Sequence, residues 1–166
     1  MSSRRVSRRL ARAFQPTTVE GDSDASGFRF SVICARWNPT ITDALLRNAL
    51  QTLERRGARD SDVRVVRVPG AFELPTAARA EVSSRKTDAL IVLGAIVKGE
   101  TTHHEVLGHA VATALAAIAA ETGHPIGFGL LTCDTMEQAR QRSGKGVEAA
   151  EAAIEMASLK RLLAAR

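Results

Sequence analysis

Two adjacent histidines, His103 and His104, follow a polar run of Gly99, Glu100, Thr101 and Thr102, with Lys98 just before it. The run leads into a helical pattern. Free backbone amides at a helix start attract anions, so this is a ready anion site. A charged ring is disfavoured at the positive end of a helix, which leaves neutral imidazole available at His103 as a base. A solvated first-turn histidine fits the same residues equally well. Three other segments carry comparable chemistry: Ala35, Arg36, Trp37 and Asn38; Pro69, Gly70, Ala71, Phe72 and Glu73; and Cys133, Asp134 and Thr135. Trp37 is the only tryptophan in the chain.

Several familiar sites fail on spacing. Lys98-Gly99 has the reverse order of a phosphate-binding P-loop. His104 and His109 are five apart, about 140° around a helix, so they do not form a zinc-protease pair. Cys34 and Cys133 offer no paired Cys-x-x-Cys ligands. Gly127-Phe128-Gly129 lies within a strand pattern and is no dinucleotide fingerprint. The expectation is no metal and no cofactor.

These residues need a scaffold, and the chain has the size for one. Its 166 residues suit a single domain with its own core. An apolar share of 45% and a charged share of 25% fit a soluble globular chain, and no apolar run is long enough to cross a membrane. Five Phe, one Trp and no Tyr leave little for base stacking, which argues against a nucleic-acid platform. The net charge of +5 is local. Arg4, Arg5, Arg8, Arg9 and Arg12 stand in an acid-free start, and setting them aside leaves 18 basic against 18 acidic residues. Nucleic acid is therefore expected only through this tail.

Residues 1–26 read as a flexible basic arm and 27–166 as the domain. The arm's composition also suits an organelle transit segment or a polyanion-binding arm. Two cysteines are too few for a disulfide framework and suggest reduced, half-buried thiols. The location expected is cytoplasmic, or organellar if the arm is a transit segment.

The strand signals are apolar runs over 28–34, 63–68, 88–95 and 125–132. The helix signals follow each strand. One helix begins at Pro39, with Asn38 as its cap, and ends before Gly57. A second spans 72–82. The third has Leu107, Val111, Ala114, Leu115 and Ile118 on one face. Asp134 and Glu137 read as a capping box for the fourth, and an Ala-rich helix covers 147–163. Four strand–helix repeats predict α/β architecture, three αβα layers around a four-stranded parallel sheet. Right-handed crossovers then bring the four chemical segments to one sheet edge.

Together those segments resemble the lumazine synthase family. The resemblance is carried by Arg36-Trp37-Asn38, VPGAFELP over 68–75, LGAIVKGETTHHEVL over 93–107, GFGLLTCDTMEQARQRSG over 127–144 and KGVEAAEAAIEM over 145–156. It covers nearly all of 28–160. It implies a flavodoxin-like fold and the penultimate step of riboflavin biosynthesis. In that step 5-amino-6-(D-ribitylamino)uracil and 3,4-dihydroxy-2-butanone 4-phosphate give 6,7-dimethyl-8-ribityllumazine, phosphate and water, with no cofactor. The implied partners are these two small-molecule substrates and further copies of the chain. Members form homo-pentamers, some of them building sixty-subunit shells.

Matched residue by residue, the resemblance implies that His103 is the general base or proton shuttle. Trp37 stands where an aromatic, usually Phe, stacks on the pyrimidine. Ala71, Phe72 and Glu73 match the ribityl-holding segment, and Ala95, Ile96 and Val97 the backbone ledge for the ring. Glu100, Thr101 and Arg142 match the phosphate site, with the Glu100 side chain expected to point away. Phe128 matches an aromatic reaching in from a neighbouring subunit. Lys145 matches less securely, because the link from Arg142 is shorter than the family usually has. His104, His109 and His124 match no role and are expected on the surface. Two further readings remain: a non-catalytic flavin-binding paralogue holding its ligand through Trp37, and a shell-forming scaffold.

Overall fold

The computed structural model describes residues 15–84 and 86–165. Four strands, β1 (Phe30–Ala35), β2 (Val63–Val68), β3 (Ala89–Val97) and β4 (Ile126–Cys133), form one sheet in the order β2-β1-β3-β4. Every pairing is parallel. Between and after them run α1 (Pro39–Arg55), α2 (Leu74–Ser84), α3 (His103–Thr122), α4 (Met136–Gln141) and α5 (Lys145–Ala164). The expected three-layer α/β architecture is therefore present.

Burial explains why the central strands read so plainly. β1 is buried throughout, and β3 is buried up to its last residue. One layer of core joins the sheet to α1, α4 and α5 through Leu45, Leu53, Ala139, Ala150 and Ile154. The other joins it to α2 and α3 through Leu74, Ala78, Val111, Leu115 and Ile118. Strands covered on both faces carry continuous apolar runs.

Small residues set the spacing of the first layer. A Cβ on Gly146 of α5 would lie 2.2 Å from the Leu45 carbonyl oxygen of α1. One on Gly127 of β4 would lie 2.0 Å from the Ala149 carbonyl oxygen of α5. Helix, helix and sheet thus meet backbone to backbone.

Several local expectations change. The start of the chain through residue 14 lies outside the described residues, but the rest of the expected flexible arm includes packed chain. Ala25 is fully buried and its N–H donates to the Arg56 carbonyl at 2.8 Å. The Asp22 N–H donates to Ser158 Oγ at 3.1 Å. α4 is capped by Thr135 rather than Asp134: Thr135 Oγ1 accepts from the Gln138 N–H, and Gln138 Oε1 accepts from the Asp134 N–H. A 3-10 turn, Ala71–Glu73, precedes α2. Both cysteines are free and buried rather than half-buried, Cys34 completely. Burial pushes the Cys34 thiol up to about 11.

Candidate active site

In this strand order the chain leaves β1 towards β2 on one side and enters β3 on the other. A crevice opens beyond the carboxyl ends at such a switch point. Here it is a cleft of about 590 Å³. Its walls come from the three segments that follow β1, β2 and β3.

The first wall is held by backbone. Beyond β1, the Arg36 N–H donates to the Val68 carbonyl at 2.8 Å and the Trp37 N–H to the Pro69 carbonyl at 3.2 Å. The β1–β2 pairing thus continues past both strands and presents Trp37 at the rim, 74% exposed. Asn38 follows with φ 59°, the only positive φ outside glycine among the described residues. Its side chain does not cap α1 as expected. Instead Asn38 Nδ2 donates to the Ala95 carbonyl of β3 at 2.9 Å.

The second wall is the turn after β2. Glu73 Oε2 accepts the Gly70 N–H at 2.8 Å, which commits one carboxylate oxygen and leaves the other uncommitted. Phe72 projects at the rim, 69% exposed. An added Cβ on Gly70 would approach Glu73 Oε2 at 3.3 Å, a tight contact that the carboxylate must yield to, and would touch the Trp37 ring at 3.8 Å, so the two segments pass close together here.

The third wall runs from Ala95, Ile96 and Val97 through Gly99 and Thr101 to His103 and His104. His103 is exposed at the first turn of α3. His104 is buried, contrary to expectation, because it lies seven residues before Val111 on the core-facing stripe of α3. Its Nδ1 is 3.1 Å from the Thr101 carbonyl. A carbonyl only accepts, so Nδ1–H is the donor, and the ring pins the loop that carries Thr101. His124 is also buried, in the turn before β4, while His109 is exposed as expected.

The family model described as 6,7-dimethyl-8-ribityllumazine synthase matches residues 27–161. A 6,7-dimethyl-8-ribityllumazine synthase of Desulfotalea psychrophila (strain LSv54 / DSM 12343) is 48% identical over 149 residues. That match covers 87% of this chain and 96% of the relative. The chain belongs to the lumazine synthase family.

Of the residues that the sequence singled out, the cleft brings together Trp37, Ala71, Phe72, Glu73, Ala95, Ile96, Val97, Thr101 and His103. Glu100 is exposed and does not line it, unlike its neighbours Gly99 and Thr101. Three others lie elsewhere on the chain. Phe128, on the outer strand β4, lines a separate apolar depression with Ala112, Leu115, Ala116 and Ala119 of α3. Arg142 ends α4, exposed, on the other side of the sheet. Lys145 pairs with Glu148 at the start of α5. The short link between Arg142 and Lys145 is a tight turn, with the Lys145 N–H on the Arg142 carbonyl at 2.9 Å. Asn48 Nδ2 of α1 holds the Ser143 carbonyl of that turn at 2.9 Å. The sequence reading missed the Asn38 clamp and the His104 loop contact. Only their adjacency to Trp37 and His103 pointed to them.

Proposed function

We propose that this cleft makes 6,7-dimethyl-8-ribityllumazine, the lumazine synthase activity of riboflavin biosynthesis, from the ribitylaminouracil and the butanone phosphate. One observation carries the assignment of the site: an exposed aromatic, an uncommitted carboxylate oxygen, an anion-suited helix start and an exposed imidazole converge on one cleft of about 590 Å³. The pyrimidine stacks on Trp37, and the backbone of Ile96 and Val97 receives its polar edge. The free oxygen of Glu73 accepts from the ribityl hydroxyls. The amides of the Thr101 loop hold the phosphate.

The uracil's primary amine then adds to the ketone and water leaves, giving an imine. Loss of a proton expels phosphate by elimination. The enol that this leaves tautomerises to a ketone, and the ribitylamino nitrogen closes the ring on that new carbonyl as a second water departs. Each stage relocates a proton, and His103 is the group placed to carry it. A positioned acid–base group contributes roughly 10²–10⁴-fold.

The deciding experiment is a two-substrate assay that follows lumazine fluorescence and phosphate release. Wild type should form both products, and His103→Ala should be slower by roughly 10²–10⁴-fold yet not inert, because the cleft still positions both substrates. A folded wild-type protein that forms no lumazine would overturn the reading.

We further propose a homo-pentamer in which a neighbouring copy supplies Phe128, and with it Arg142 and Lys145, to the cleft. Support comes from the half-exposed Phe128 over an apolar depression on an outer strand, outside the cleft of its own chain.

A further inference from the structure

We propose that a second pocket, at the amino ends of the strands, binds the phosphate group of a small phosphomonoester. The pocket measures about 370 Å³ and is lined from five directions, one of them Val82 of α2. Phe28 and Arg29 come from the chain entering β1, Thr87 and Asp88 from the chain entering β3, and His124 from the turn entering β4. α5 contributes Lys160 and Arg161. The nine residues of β3 separate this pocket from the catalytic cleft, about 25–30 Å along the strand.

The charged groups do not cancel. Arg29 Nε lies 3.5 Å from Asp88 Oδ2, and that oxygen also accepts the Arg29 N–H at 2.7 Å. One oxygen of Asp88 is therefore engaged by Arg29. Arg161 lays its guanidinium 3.5 Å above the Phe28 ring and donates to the Gly27 carbonyl at 3.2 Å. Lys160 is exposed and has no carboxylate within ion-pair range among the described residues. Three cations thus face one carboxylate. Forked guanidinium groups and an ammonium suit a phosphate oxyanion.

An unsatisfied group stands in the inner wall. His124 is only 8% exposed, and its Nε2 is buried without a hydrogen-bond partner among the described residues. A buried polar atom left unpaired is costly and calls for a partner that a bound molecule or its ordered water can supply. The rest of the floor is apolar, with Val82, Ala157 and Ala164 beside the Phe28 ring. That floor suits the organic part of a phosphomonoester, and the volume lies within the usual range for small-molecule pockets. Burial first and the Lys160 charge second hold the His124 ring below the usual imidazole range, against the pull of Asp88. A bound phosphate opposes Lys160 and raises that ring's affinity for a proton.

The test is a titration of the full chain, carrying ¹³C-labelled histidine, with inorganic phosphate and separately with AMP. The four histidine ring signals are assigned from single His→Gln variants. The His124 signals should shift saturably. Lys160→Ala, an exposed change that leaves the core intact, should weaken that response by about tenfold while the His103 response is unchanged. A stronger response to AMP than to phosphate assigns the apolar floor to the organic part. Equal responses place the recognition in the phosphate alone. Unmoved His124 signals at phosphate levels that shift His103, or a titration unaltered by Lys160→Ala, would overturn the proposal.

Discussion

Asn38 shows which of two properties of asparagine this fold uses. Asparagine before a helix normally reads as a cap, and asparagine also tolerates a left-handed backbone. Here the second property is used, and the side chain is free to cross to Ala95. Asn38→Gly should keep the backbone and lose only the clamp, about 1 kcal/mol. Asn38→Ala should lose a further ~1–2 kcal/mol, because alanine resists that conformation. Equal melting temperatures for the two would contradict the backbone argument, and the KM for the uracil substrate should rise in both. Trp37 offers a wider ring face than phenylalanine, and a stacked aromatic pair is worth roughly 0.5–1.5 kcal/mol beyond the area it buries. Trp37→Phe keeps a smaller stack and should weaken riboflavin binding by about two- to threefold in equilibrium dialysis; an unchanged affinity would show that the wider face adds nothing. His124 sets an acid limit. The unfolded chain binds a proton that the folded ring resists, so stability is complete above the unfolded value of 6.5 and falls as pH drops through the lowered folded value. His124→Gln should flatten this acid limb in melting curves taken from about pH 7.5 to about pH 5. Parallel limbs for variant and wild type would place the acid sensitivity elsewhere.

At the scale of elements, the strands and most helices are legible because burial imposes a period. β3 sits between two layers and has no choice but an apolar run. The cleft is legible for the same reason: once the sheet is parallel, the segments after β1, β2 and β3 must share an edge. What stays hidden is contact between distant elements. Nothing local says that Thr135 rather than its neighbour Asp134 caps α4, since both residue types cap well. Nothing local places Ala25 against α1 or His124 under β4. Glycines show the same limit. By propensity Gly146, in the first turn of α5, looks improvable to alanine. The 2.2 Å approach to the Leu45 carbonyl reverses that expectation. Gly146→Ala should cost about 3 kcal/mol, read as a clear fall in denaturation midpoint, because backbone must move apart. A neutral or stabilised variant would show that the α1–α5 crossing yields easily.

For the whole molecule, the two outer strands differ in kind. β2 carries Arg64 and Arg67, and such charges protect a free edge. β4 instead offers Phe128, 47% exposed, beside an apolar depression. Phe128→Asp should therefore shift the protein to smaller species in light scattering and reduce turnover, with His103 untouched. An unaltered assembly would separate Phe128 from the subunit contact. Trp37 has a consequence that reaches past its own cleft. The chain has one tryptophan and no tyrosine, so nearly all its near-ultraviolet emission originates at a single rim. That indole is already solvated in the single folded chain. Its emission should change little on denaturation and strongly when a flat ring covers it. The molecule therefore carries its own optical gauge of occupancy, one that is almost blind to unfolding.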